Sequence, residues 1–176
     1  PYIWGGFDAM RILPTKYNAD PENASRPLSN DAAGFVPGSG AGAFILESLE
    51  SAQKRGVPIY GEVLGGAVNS GGHRRDGSMT APNGKAVQDC IQLAIKDAEI
   101  RSEEIDAING HLTATSKDVF EIQNWSKALG REGSDFPFIN TFKSYIGHCL
   151  AAAGSVELVG AVLQLREQKV YGNSNI

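Results

Sequence analysis

Apolar and polar residues alternate along this chain in two rhythms, a helical one and a strand-like one, and the two take turns. Over residues 85–98, Val87, Ile91, Leu93, Ala94 and Ala98 recur at helical spacing with charged residues between them, which predicts an amphipathic helix. Residues 117–129 and 148–168 read the same way, the second being the longest helix expected. Shorter helices are predicted over 5–13 and over 48–55, the latter stopped by Gly56 and Pro58. Strands are predicted at Phe44, Ile45 and Leu46, over 59–68, 105–109 and 136–142, where short apolar or alternating runs sit between turn residues. Residues 14–31, with three prolines and many Asn, Asp and Ser, predict a surface loop, as do residues 71–84. The alternation of helix and strand predicts α/β layering.

Composition narrows this picture. The chain has 176 residues, enough for one domain or one lobe of a larger one, and a net charge of −4. Lys and Arg are scattered rather than clustered, which argues against nucleic acid as a partner. Cys90 and Cys149 are the two cysteines and form no CxxC pair, so neither a disulfide framework nor a structural zinc site is expected, and a reducing, cytoplasmic setting is. The nearest approach to a membrane span, 149–165, is interrupted by Ser155, Glu157 and Gln164, so none is expected. The first residue is Pro1 rather than Met, and residues 170–176 read as a strand cut short, so the chain is expected to be a piece of a longer protein.

Two segments carry candidate chemistry. Residues 109–115 run Asn-Gly-His-Leu-Thr-Ala-Thr after a predicted strand, and residues 143–148 run Lys-Ser-Tyr-Ile-Gly-His after another. Ligands and catalytic groups collect at the C-terminal ends of strands in α/β proteins. His148 stands at the start of the expected long helix, where the positive end of the helix dipole disfavours an imidazolium. Two neutral histidines meeting at one point could hold an enolate-like oxyanion, each donor contributing on the order of 3 kcal/mol. Lys143 could help keep a histidine neutral. Each residue by itself also has a structural reading: a strand-end histidine, a capping Gly-His, a solvated lysine, turn threonines.

The combination resembles the elongating β-ketoacyl synthases. Asn109, Gly110, His111, Thr113, Thr115, Asp118 and Glu121 are similar to that family's first histidine motif. Lys143, Gly147 and His148, with Ala152, Ala153, Gly154 and Glu157, are similar to its lysine and second histidine motif. Ser25-Arg26-Pro27, Gly34-Phe35-Val36 and the glycine run 38–42 look like its linker and glycine-rich strand. The resemblance implies a thiolase-like α/β fold, with a mixed sheet and covering and buried helices, of which residues 1–176 form the C-terminal lobe. It also implies decarboxylative Claisen condensation of a malonyl thioester with an acyl thioester in fatty acid biosynthesis. His111 and His148 would assist decarboxylation and hold the oxyanion, with Lys143 supporting them electrostatically. Asp118 and Glu121 would organise the lysine and nearby loops, and Thr113, Thr115 and Thr80 would line the pantetheine tunnel.

The resemblance further implies acyl carrier protein as a partner, a homodimer, and no cofactor beyond the carrier's own phosphopantetheine, on which the substrates ride. No metal is expected. The nucleophilic cysteine of the family belongs to an N-terminal half absent here, and Cys149, on a helix expected to be buried, does not replace it. Leu112 stands where the family has glycine, and the loop before Asp118 is one residue shorter, which bears on the local tunnel shape. His73, Arg74 and Arg75 could approach an acidic carrier surface. An alternative is a non-catalytic, length-determining partner subunit. A phosphate-loop reading of the glycine run fails because it lacks the Lys-Ser/Thr ending and a strand is expected to follow it.

Overall fold

A computed structural model describes residues 2–71 and 83–175. At its centre is a parallel pair of short strands, β1 (Ala107–Asn109) and β2 (Phe138–Asn140), in register Ala107 to Phe138 and Asn109 to Asn140. Helix α4 (Asp118–Leu129) makes the crossover between them, the connection a parallel pair requires. Helix α3 (Gly84–Asp97) packs on α4, where Gln88 Nε2 donates to Asn124 Oδ1 at 2.8 Å. The remaining helices are α1 (Tyr2–Ala9), α2 (Leu49–Arg55), the single turn α5 (Lys143–Ile146) and α6 (Ala153–Glu167), which lies against β1.

The helix boundaries follow local chemistry. Ser48 caps α2 by accepting the Ser51 N–H, and Gly56 ends it in the left-handed region, φ 66°. Gly130 ends α4 in the same way. Gly160 lets α6 approach its neighbours closely, since a β-carbon there would sit 2.0 Å from the Phe142 ring.

Among the described residues the sheet consists of this parallel pair, with one further parallel bridge, Pro37 to His148. Three expectations about single elements need correction. Residues 44–46 and 59–68 form no strand, because no described segment supplies a hydrogen-bond ladder, and most of their apolar side chains are exposed. Ile45 is 89% exposed, Val63 77% and Val68 95%. The long helix begins at Ala153, not at 148. Positive φ at Gly147 (69°) and Leu150 (52°) breaks the helical path, and a 3-10 turn, Leu150–Ala152, intervenes. The helix expected over 5–13 lies at Tyr2–Ala9 and is followed by Arg11 at φ 54°.

Candidate functional site

Backbone pairing sets the two histidine loops side by side. Gly110 N–H donates to the Asn140 carbonyl at 2.8 Å, extending the parallel ladder one residue past the end of β1. His111 therefore leaves the end of β1 just as Lys143 and His148 leave the end of β2. Buried amides fasten the floor: Asn109 Nδ2 donates to Asn140 Oδ1 at 3.2 Å, and Asn140 Nδ2 donates to Gln164 Oε1 at 2.5 Å and to the Tyr171 carbonyl at 3.0 Å.

Asp118 and Glu121 shape the first loop. The carboxylate of Glu121 accepts the backbone N–H groups of His111 (2.7 Å) and Leu112 (3.0 Å), one on each oxygen. Asp118 accepts those of Thr113, Ala114 and Thr115, and that of Leu28 from a distant loop. The loop can then hold non-glycine residues at positive φ, Leu112 at 24° and Ala114 at 61°. Burial raises the pKa of Glu121, followed by the nearby Asp118 charge, against the two amides and Lys143, which lower it.

The second loop is fixed by a rung of sheet pairing and by an ion pair. His148 N–H donates to the Val36 carbonyl at 2.7 Å, and Gly38 N–H donates to the His148 carbonyl at 2.9 Å. Gly147 is required at this crossing, because a β-carbon there would lie 2.6 Å from the Val36 carbonyl oxygen. Lys143 is 3% exposed and its Nζ donates to Glu157 Oε1 on α6 at 2.8 Å. Glu157 also accepts from Thr141 Oγ1 at 2.7 Å and from the Phe142 N–H at 2.9 Å. Burial would raise the Glu157 pKa, but Lys143 and these two donors outweigh it and hold the pKa low. Ser25 Oγ donates to the Lys143 carbonyl, tying in the loop of residues 14–31.

The two rings meet edge to face, centroids 5.0 Å apart and planes 82° apart. On its other side His148 meets Phe35, centroids 5.1 Å apart, and Phe35 in turn meets Phe7. His148 Nδ1 accepts the Leu150 N–H at 3.1 Å, so in the neutral ring the proton sits on Nε2, which is left as a donor. Desolvation first, then His111 and Lys143, push the His148 pKa down to about 4. His111 keeps one side open to solvent. Crowding of its other side and the Lys143 charge lower its pKa, while Glu157 opposes the shift. The dipole of α6 is not the agent at His148, because that helix starts five residues later.

Beside the pair lies a cavity of about 350 Å³, bounded by Asn109, Gly110, His111, Lys143, Glu157 and the first turns of α6. The structure thus brings His111, His148 and Lys143 together. Asp118 and Glu121 clamp the first loop; Glu121 feels the Lys143 charge, but the lysine's carboxylate partner is Glu157. The sign of that partnership in the sequence is Glu157, set among the small and apolar residues that open this helix. Thr113 and Thr115 hydrogen-bond each other at 3.2 Å and are not among the walls of this cavity. Thr80 and residues 73–75 lie outside the described residues. Leu112 is wholly buried, so its side chain does not project into the cavity. Cys149 is buried with its sulfur against the backbone of Gly38 and Gly40. Among the described residues no cluster of side chains could hold a metal ion, and no helix is long and apolar enough to cross a membrane.

The fold is that of the C-terminal half of thiolase-like ketosynthases. The chain belongs to the β-ketoacyl synthase family: the family's C-terminal domain matches residues 60–176. It is similar to 3-oxoacyl-[acyl-carrier-protein] synthase I, chloroplastic, of Arabidopsis thaliana, 46% identical over 92% of this chain and 33% of the relative. It is similar also to 3-oxoacyl-[acyl-carrier-protein] synthase 2 of Rhizobium meliloti, 40% identical over 92% of this chain and 38% of the relative. The chain therefore spans little more than a third of the length of these curated relatives. Among solved structures, it superposes on a chain from a type II polyketide acyl-carrier protein in complex with its ketosynthase. That match has a TM-score of 0.86 and 35% identity, covering 98% of this chain and 42% of the other.

Proposed function

We propose that these residues carry the decarboxylating and oxyanion-holding part of a 3-oxoacyl-[acyl-carrier-protein] synthase of fatty acid biosynthesis. A malonyl group, delivered on the phosphopantetheine of acyl carrier protein, enters the site beside His111 and His148. Its carboxylate leaves as carbon dioxide, and the electrons of the broken carbon–carbon bond pass to the thioester oxygen as an enolate. The Nε2–H of His148 and the neutral ring of His111 donate to that oxygen, each contributing on the order of 3 kcal/mol. The enolate carbon then attacks an acyl thioester, and the thiol that held the acyl group leaves. Lys143, tied to Glu157, keeps both rings neutral and takes no proton itself.

The observation that carries this reading is the 5.0 Å edge-to-face meeting of two rings, from separate loops, whose pKa values are both lowered. The retention of His111, Lys143 and His148 in one place favours an enzyme over a length-determining partner subunit, which needs none of them. Cys149 is buried and the Cys90 thiol donates to the Ala67 carbonyl, so the acyl-carrying thiol is assigned to residues other than these 176. Asp118 and Glu121 act by holding the His111 loop; Thr113, Thr115 and Thr80 are assigned to the pantetheine. Acyl carrier protein is the partner and the working form a homodimer, in a reducing compartment such as the cytoplasm. The reaction needs no metal and no cofactor of the protein's own.

The test is decarboxylation of malonyl-acyl carrier protein, read by intact mass and carbon dioxide release, for the unaltered protein, His111→Ala and His148→Ala. Each variant is expected to lose about a hundredfold or more in rate. Normal decarboxylation by both would remove the assignment.

A further inference from the structure

Residues 25–28 take no part in the chemistry just described, yet they stand between the two loops that carry it. Ser25 Oγ donates to the Lys143 carbonyl, at the start of the second loop. Three residues on, Leu28 N–H donates at 3.1 Å to Asp118 Oδ2, on the carboxylate that gathers the first loop. Farther along, Gly34 N–H donates to the Ala114 carbonyl at 3.0 Å, and the Val36 carbonyl accepts from His148. One stretch of chain thus touches the second loop, the first loop twice, and the second loop again. The part that spans them is stiff. Pro27 and Leu28 are the central pair of a turn closed by Ser29 N–H on the Arg26 carbonyl at 3.2 Å, and Asp31 fastens its outer side by accepting Arg26 Nε at 3.0 Å. Pro27 is wholly buried, and Leu28 sits at φ 65°, a turn position that ordinarily falls to glycine. Strain at a residue bearing a β-carbon persists only where the surroundings hold it, and here Asp118 and the buried Pro27 do so.

We propose that residues 25–28 form a brace that sets the spacing of the two histidine loops, with Ser25 the positioning residue for the Lys143 turn and, through it, for His148. The inference rests on the decarboxylating role assigned to the site and adds a part to it. The Lys143 carbonyl also accepts Gly147 N–H at 3.0 Å, closing the turn that delivers His148. The Ser25 hydroxyl therefore fastens that turn at the point where lysine and histidine are joined. Removing the hydroxyl leaves the carbonyl its Gly147 partner, so Ser25→Ala orphans no buried group and the fold is kept. What is lost is the tie between turn and brace, and the Lys143 charge then shifts relative to the His148 ring.

The experiment is an imidazole NMR titration of His148 on the unaltered protein, Ser25→Ala and Ser25→Thr, beside the decarboxylation assay. In Ser25→Ala the His148 pKa is expected to rise from about 4 toward the ordinary imidazole range. The decarboxylation kcat should fall roughly fivefold, the worth of one neutral hydrogen bond, with KM unchanged because the ground-state contacts to malonyl-acyl carrier protein are untouched. Ser25→Thr keeps the hydroxyl and should restore both the titration and the rate, which a merely structural role would not require. A Ser25→Ala protein with the His148 titration and kcat of the unaltered one, or a Ser25→Thr protein that behaves like Ser25→Ala, overturns the proposal. If the titration moves as stated but the unaltered protein does not decarboxylate, the positioning role stands and the decarboxylating role is the one that fails.

Discussion

At the scale of single residues, His148 shows how one hydrogen bond sets a protonation state. Its Nδ1 accepts the Leu150 N–H, so a proton placed on that nitrogen would face a donor with a donor. The folded ring has its pKa at about 4 against an ordinary 6.5. Between those values the unfolded chain binds a proton that the folded chain refuses, so stability rises with pH across that interval. The contribution is complete above about 6.5 and is lost as pH falls through about 4. Chemical denaturation followed from pH 7 downward should show this acid loss, and His148→Gln should flatten it. An equal slope in the variant would mean that the ring is not held neutral by its surroundings. Of the site, the three residues His111, Lys143 and His148 were legible in the sequence because their spacing places each just after a strand. The Lys143–Glu157 pair was not, since residues 143 and 157 meet only when α6 folds back across β2.

Among the elements, α6 does most to assemble the site, and Gly160 is its point of closest approach. Alanine is the better helix former by roughly 1 kcal/mol, so an unopposed Gly160→Ala would stabilise the protein. Here the added methyl meets the Phe142 ring at 2.0 Å. Overpacking of that kind costs about 1–3 kcal/mol, and the loss should exceed the gain. Because the Phe142 N–H holds Glu157 and Phe142 precedes Lys143, the decarboxylation rate should fall with the stability. Urea denaturation of Gly160→Ala decides the sign, and a more stable variant would contradict the packing described. Elements whose reasons are local were legible: α2 between Ser48 and Gly56, α3 from its apolar stripe, and β1 and β2 from their apolar runs. Residues 44–46 and 59–68 were misread, because a strand is completed by a partner that its own sequence does not contain. The start of α6 was misread for another reason. The run of small residues carries the helical pattern back to His148, while the left-handed turns at Gly147 and Leu150 leave no trace in apolar spacing.

On the scale of the whole molecule, residues 44–68 leave Ile45, Leu46, Val63, Leu64 and Val68 exposed. Apolar surface exposed in this amount drives association. Sedimentation of this chain is expected to show mass increasing with concentration, and the double variant Ile45→Lys, Val63→Lys should reduce it; a monomer at every concentration would show the surface to be tolerated in water. The joining of Lys143 to Glu157 has a further consequence for the proposed chemistry. The cavity is walled by a matched cation and anion and by the uncharged ring of His111, so it presents no standing positive field to a carboxylate. An arriving malonyl group is therefore gripped weakly by its charge, and the dipoles reserve their pull for the electron density that gathers on the thioester oxygen as the carbon–carbon bond opens. Tight storage of the reactant would deepen the well from which it must climb; a site electrically balanced at rest avoids that trap.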